Sequence, residues 1–217
     1  MRTIEDIVRM AIIADDEMCG TETSAVAAIK ADSKYPPLFK KAFGTEEITI
    51  ERIEKAIAQY VRSLIACNSK FDRYLQGKEQ LTPQELHGYV LFTTEEGADC
   101  FHCHGSSGSP LFTTNLFYNN GLDNVFTDDH DRSSVTGDPH DRGAYRAPSL
   151  RNVSRSAPYM HDGRFQTLDE VLEFYNSGVQ NSPYISPLMH HVNDGGVRLT
   201  PSEIADLKAF LLTLTED

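Results

Sequence analysis

The chain has 217 residues, 40% apolar and 24% charged, enough to bury one large core or two small ones and too ordered in composition for a disordered tail. Its net charge is −12 and its pI near 5.0, a surface that repels phosphate, so nucleic acid is disfavoured and a basic protein partner would be attracted. No apolar run approaches the roughly 18 residues of a membrane span, Trp is absent, and four Cys exclude a dense disulfide scaffold while leaving room for a metal or cofactor attachment.

The first residues lack the basic end, apolar stretch and cleavage site of a secretory leader. Instead Ile4, Ile7, Val8, Ala11 and Ile12 recur at helical spacing with Glu5, Asp6 and Arg9 opposite. A stripe that begins at once reads either as an ordinary N-terminal helix or as a piece cut from a longer protein. Ile53, Ala56, Ile57, Tyr60, Val61, Leu64 and Ile65 predict a helix over residues 49–66. Gly77-Lys78-Glu79-Gln80 reads as a linker, dividing a helical segment 1–78 from a domain 79–217. Thr82-Pro83-Gln84-Glu85 starts the next helix with a Thr cap, a first-turn Pro and a capping-box Glu.

From Cys103 to Thr167 there is no clear periodicity for roughly 60 residues, and loops that long usually carry function. Thr167 and Glu170 start a further helix that Gly178 ends; Thr200-Pro201-Ser202-Glu203 starts the last, ahead of Ile204, Leu207, Phe210, Leu211 and Leu214. Strand alternation is weak throughout. The fold class is all-α.

Cys100-Phe101-His102-Cys103-His104 is a C-x-x-C-H run. Thiols one helical turn apart can both add to the vinyl groups of one haem, and the following histidine can then ligate the iron. A zinc site is the rival, but structural zinc wants four ligands, and Cys19 and Cys67 stand alone. Two free core thiols are the other alternative. For a sixth ligand the residues leave several candidates: Tyr175 on the stripe of Leu168, Val171 and Leu172, the thioethers of Met160 and Met189, and His130, His140, His190 and His191. Asp123, Asp128, Asp129, Asp131, Asp138 and Asp141 match no EF-hand spacing and read as a solvated acidic loop. Cys19 and Cys67 could pair in an oxidising compartment or remain isolated buried thiols.

Several segments, in order and spacing, resemble one family. They are Asp16-Glu17-Met18, Ile57-Ala58-Gln59-Tyr60-Val61-Arg62-Ser63-Leu64, Phe71-Asp72-Arg73-Tyr74, Leu81-Thr82-Pro83, Ala147-Pro148-Ser149-Leu150-Arg151-Asn152-Val153 and Ala157-Pro158-Tyr159-Met160-His161-Asp162-Gly163-Arg164. Together the chain resembles the C-terminal two-thirds of a bacterial di-haem cytochrome c peroxidase, in the wider group that includes MauG-like enzymes. The resemblance implies two cytochrome c-like helical domains with one haem c in each, and reduction of hydrogen peroxide with electrons from a small redox protein.

On that resemblance, Cys100, Cys103 and His104 hold the electron-transfer haem in domain 79–217, while 1–78 is part of the peroxide-facing domain. Glu17 corresponds to the acid–base glutamate, and the carbonyls of Ser156 and Pro158 to ligands of a calcium ion between the haems. His161 matches the histidine of the Pro-Tyr-x-His-Asp-Gly segment. Tyr175 falls where the peroxidases place an axial methionine and MauG-like enzymes a tyrosine, which points toward oxidation of a protein substrate.

Departures also follow. Only one C-x-x-C-H is present, so the chain has one haem site where the full-length protein would have two. The tryptophan between the haems is missing, and Ala98 stands where MauG-like enzymes carry another, so their electron-exit route does not carry over. The expectation is a truncated chain, inactive alone, from a periplasmic enzyme whose leader lies outside this sequence, with a homodimer as one assembly. A single-haem electron-transfer module is the alternative function, and a haem-free zinc domain the third.

Overall fold

The computed structural model describes residues 3–106, 108–126 and 130–216. It is helix-rich and divides into two compact units, Met1–Ile65 and Ala66–Asp217. The linker expected at Gly77–Gln80 therefore falls inside the second unit. The reason is Phe71, which precedes that linker and sits fully buried in the second unit's core.

In the first unit, Thr3 caps α1 (Ile4–Ile13) in a reciprocal box with Asp6, and Thr21 caps α2 (Glu22–Ala31) with Ser24. Pro36 opens α3 (Tyr35–Phe43), and α4 (Ile50–Ser63) follows. Val8, Ile12 and Ile50 form one small core, Phe39, Ile48 and Ile53 another. The apolar stripe expected on α4 is only partly used: Ile53 is buried, while Ile57, Tyr60, Val61, Leu64 and Ile65 are exposed. Ion pairs decide this. Arg9 Nε lies 2.6 Å from buried Glu54, and Arg62 Nη1 lies 2.8 Å from Glu5, so α1 packs along the Glu54–Ala58–Arg62 line beside the stripe.

In the second unit the helix starts expected at Thr82, Thr167 and Thr200 are realised, and a further one appears at Ser69. Ser69 and Asp72 box the start of α5 (Lys70–Leu75), and Thr82 and Glu85 that of α6 (Pro83–Thr93). One-turn helices α7 (Phe101–His104) and α8 (Ser133–Thr136) follow. Thr167 with Glu170 opens α9 (Leu168–Glu173), and Thr200 with Glu203 opens α10 (Pro201–Leu212). The core is a group of aromatic rings: Phe210 lies 5.3 Å from Phe71 and 5.2 Å from Phe92, and Phe112 stands edge-on to Phe71 at 5.5 Å. Gly88 lets α6 and α10 close on each other, since a Cβ there would lie 1.9 Å from the Asp206 carbonyl oxygen.

The aperiodic segment between α7 and α9 is held by polar bonds rather than by long elements. Two short strands, β1 (Phe117–Tyr118) and β2 (Tyr145–Arg146), pair antiparallel. Thr113 Oγ1 donates to the Ala147 carbonyl at 2.6 Å and Asn119 Nδ2 to the Arg142 carbonyl at 2.9 Å. The acidic loop is not simply solvated, as its composition suggested. Asp131 is 3% exposed and accepts from the backbone N–H of Ser133 and Gly143; Asp123 pairs with Arg164, Asp141 with Arg132 and Asp138 with His140. Asp128 and Asp129 lie outside the described residues. Among the described residues no helix is long and apolar enough to cross a membrane.

Arg151 grips both oxygens of Asp72 at 2.8 and 2.7 Å, tying this segment to α5. That guanidinium holds the Asp72 carboxyl at about 2, against burial that pushes it up. A depressed carboxyl stabilises above its unfolded value near 3.9, and the contribution is lost as pH falls through about 2. Asp72→Asn should cost about 3 kcal/mol at pH 7, because it leaves Arg151 buried and unpaired. Urea unfolding should show the gap between variant and wild type closing between pH 4 and 2.

Candidate functional site

The single turn α7 carries the motif. The His104 N–H donates to the Cys100 carbonyl at 3.0 Å, so both thiols and the imidazole follow one helical turn as the spacing required. Cys100 and Phe101 pack against the aromatic core. Behind the turn, the Thr114 N–H and Oγ1 both donate to the Cys103 carbonyl, at 3.1 and 2.9 Å.

The His104 ring is oriented by Nδ1, 3.1 Å from the Pro148 carbonyl. A carbonyl only accepts, so Nδ1 carries the proton and Nε2 is the donor atom offered to a metal. Burial lowers the pKa of this imidazole and keeps it neutral, the form a ligand needs. Burial likewise pushes the Cys100 thiol up to about 12 and the Cys103 thiol to about 11, with Asp99 adding to both.

Tyr175 lies just after α9, in the same unit as the motif. The helix expected to run to Gly178 is α-helical only to Glu173; Phe174–Gly178 is a π turn. The carbonyls of Tyr175 and Asn176 accept instead from Val197 and Arg198 at 3.1 and 3.2 Å. Gly196, at φ 147°, makes that crossing possible, since a Cβ there would lie 2.4 Å from the Asn176 carbonyl. Burial raises the Tyr175 phenol to about 12, opposed by Asn120 Nδ2, which donates to its oxygen at 2.9 Å. Charge on Cys103 and Cys100 adds to the rise in smaller measure.

The rival sixth ligands sort themselves by position. Met160 and Met189 share one cluster with Tyr175 around Leu122, Phe174 and Val179, and Asn120 Nδ2 reaches Met160 Sδ at 3.8 Å. His190 faces Asp99 instead, and His191 Nε2 donates to the Glu95 carbonyl at 3.1 Å. His130 and His140 are exposed.

Glu17 lies exposed in the turn after α1, in the Met1–Ile65 unit, and its N–H donates to the Ala14 carbonyl at 3.2 Å. Ser156 and Pro158 belong to the turn after Val153, whose carbonyl accepts from Ser156 Oγ and the Tyr159 hydroxyl at 3.0 and 2.8 Å. His161 stacks on Tyr145 with ring centroids 3.9 Å apart, in the wall of a cavity of about 160 Å³ that Asn120 and Arg164 also line. Cys19 and Cys67 are free thiols, and both are exposed rather than buried as expected, because each sits in a connection outside the helices.

These residues fit a covalently tethered haem and not zinc. Among the described residues, no trio of metal-donor atoms within 4.8 Å of one another includes Cys100, Cys103 or His104. The two thiols on one turn and the fixed Nε2 are the attachment set of a c-type haem, and the Tyr175 phenol is a further oxygen donor in the same unit. Sequence reasoning missed Asn120 and Pro148, which set the directions of Tyr175 and His104. Asn119-Asn120-Gly121 signals a turn, but nothing local shows where the Asn120 amide points.

Comparison with known proteins is consistent with this geometry. A family model described as di-haem cytochrome c peroxidase matches residues 1–80. Cytochrome c551 peroxidase of Nitrosomonas europaea is 34% identical over 205 residues, covering 93% of this chain and 55% of that protein. Methylamine utilization protein MauG of Methylorubrum extorquens is 34% identical over 217 residues, covering 98% of this chain and 58% of that protein. The chain thus spans a little over half the length of these curated relatives. The crystal structure of a MauG-like protein associated with microbial copper homeostasis superposes with a TM-score of 0.84 at 35% identity, over 99% of this chain and 69% of that one.

The raised thiols give a direct check on the site. In haem-free protein at pH 8, Cys100 and Cys103 should be ionised to about one part in a thousand or less. Iodoacetamide should therefore label Cys19 and Cys67 first and the motif thiols at least about 100-fold more slowly, with the lag shrinking as pH rises toward 11. Peptide mapping that finds all four labelled together would show the motif open to solvent.

Proposed function

The chain belongs to the di-haem cytochrome c peroxidase and MauG family, and on that premise we propose that it supplies the electron-receiving haem domain of a larger peroxide-dependent oxidoreductase. One arrangement carries the reading: Cys100, Cys103 and the His104 ring fixed by Pro148 share one helical turn, and in the same unit Asn120 holds the Tyr175 phenol, at the place where the peroxidases of the resembled group use methionine. In this reading the Met1–Ile65 unit is part of the peroxide-facing domain, and a second haem belongs to the remainder of the full-length protein.

Cys100 and Cys103 would hold a haem through thioethers, one to each vinyl group. His104 Nε2 and the Tyr175 oxygen are the atoms that would hold its iron. A haem bound here supplies one-electron redox chemistry. The chain's own residues do the rest. Pro148 fixes the His104 ring, Asn120 fixes the Tyr175 hydroxyl, and Phe174, edge-on to Tyr175 at 4.8 Å, helps exclude water.

A phenolic oxygen is a harder, more anionic donor than a thioether and favours oxidised iron. The reading therefore leans toward oxidation of a protein substrate, as in MauG-like enzymes, over plain peroxide removal. Glu17 is the general acid–base that shifts a proton between the peroxide oxygens in the complete enzyme. Hydrogen peroxide takes up two electrons and two protons to give two waters; the electrons come from a small redox protein or from the oxidised side chain. A calcium ion takes the carbonyls of Ser156 and Pro158. The net charge of −12 suits a basic donor, the compartment is the periplasm, where haem is attached after export, and a homodimer is the assembly. The second reading, a single-haem electron-transfer module, rests on the one C-x-x-C-H present.

Peroxide consumption by the full-length, haem-loaded protein separates the two readings. Glu17→Gln should lower turnover by about 10²–10⁴-fold, and Tyr175→Phe should change the visible spectrum of the C-terminal haem. Unchanged turnover removes Glu17 from the chemistry, and an unchanged spectrum removes Tyr175 from the iron. Fast electron exchange with no peroxide turnover leaves the electron-transfer module.

A further inference from the structure

The turn that presents the thiols has a second set of donors beside it. We propose that Asp99, His102 and His190 form a binding site for a first-row divalent cation of the zinc type, separate from the haem attachment. Asp99 precedes Cys100 and takes a positive φ of 53°, uncommon for a residue with a side chain. Its carboxylate is 6% exposed, yet it serves two imidazoles: Oδ1 lies 2.5 Å from His102 Nδ1 and Oδ2 lies 3.2 Å from His190 Nδ1. The two rings cross at 77° with centroids 5.4 Å apart, so they flank the carboxylate rather than stack.

One donor atom from each residue lies within 4.8 Å of the other two, the one such trio among the described residues. Donors at about 2.1 Å around a tetrahedral ion stand roughly 3.4 Å apart. His190 Nδ1, 3.2 Å from Asp99, already stands near that spacing, and the 2.5 Å contact of Asp99 with His102 must open by about 0.9 Å to admit the ion.

The outer contacts fit as well. With a cation on Nδ1, a neutral imidazole keeps its proton on Nε2, and His102 Nε2 faces the Glu95 carboxylate at 3.6 Å. A small turn of the exposed Glu95 side chain would complete the carboxylate–histidine–metal arrangement that fixes ring direction and raises ligand basicity. The Glu95 backbone carbonyl in turn holds His191, beside His190. Two carboxylates, Asp99 and Glu95, supply negative charge beside the rings.

Two imidazoles and one carboxylate select a borderline ion over calcium or magnesium, which demand more oxygen ligands. Three protein ligands leave a fourth position to water, so the ion should exchange. Plain hydrogen bonding of Asp99 to both rings is the competing account, and it predicts no metal affinity. The proposal does not rest on the peroxidase reading, because metal content is measured whether or not peroxide turns over.

The test is equilibrium dialysis of chelator-stripped, full-length, haem-loaded protein against zinc chloride, with zinc counted by elemental analysis and affinity by calorimetry. The wild type should bind one zinc per chain at micromolar free zinc, without competition from magnesium or calcium. His190→Ala should weaken that zinc at least about 100-fold and Glu95→Gln about tenfold, with the haem spectrum unchanged. If His190→Ala fails to load haem, His190→Gln is read in its place. A wild type that binds no zinc under these conditions overturns the proposal, and so does equal zinc affinity in wild type and the His190 variants.

Discussion

The imidazole of His104 can offer Nε2 to a metal only while a fixed acceptor keeps the proton on Nδ1. That acceptor is the carbonyl of Pro148, 44 residues further along the chain. The whole aperiodic segment must therefore double back on the motif, with no long element to guide it. It does so through specific polar bonds: the β1–β2 pair, Thr113 to the Ala147 carbonyl, Ser149 Oγ to the Leu111 carbonyl at 2.5 Å, and the Arg151–Asp72 pair at the base. Asp72 is also the capping-box partner of Ser69, so one carboxylate starts α5 and anchors the return that sets the ligand.

Charge plays a larger part here than the apolar core alone would suggest. The chain is strongly acidic, yet several carboxylates of the long segment are committed to it. Asp123 holds Arg164, Asp141 holds Arg132, and buried Asp131 closes the turn at Ser133 and Gly143. In the first unit, Glu54 and Glu5 decide which line of α4 meets α1. The motif turn follows the same logic, with the Asp99 carboxylate committed to His102 and His190.

What could be read in the sequence was what neighbouring residues decide among themselves. The boxes at Thr82, Thr167 and Thr200 are settled within four residues, and each helix begins where its box does. That Cys100, Cys103 and His104 would share one helical turn was legible for the same reason, whereas Tyr175 was singled out by the family resemblance alone. Distant partners hid the rest. The exposed face of α4 follows from ion pairs to α1, the π turn at Tyr175 from the crossing at Gly196, and the burial of Phe71 from Phe210 and Phe112. Asn120 and His190 carry no local signal, because what they touch is brought to them by the fold.

The central claim is that Cys100 and Cys103 carry a haem through thioether bonds, with His104 as a ligand. It is tested most directly on the exported, full-length protein by a pyridine haemochrome spectrum together with the mass of the peptide spanning both cysteines. The account predicts a c-type spectrum and a peptide heavier by one haem, resistant to acid–butanone extraction. A peptide of unmodified mass, with both thiols open to alkylation once the protein is denatured, would contradict it.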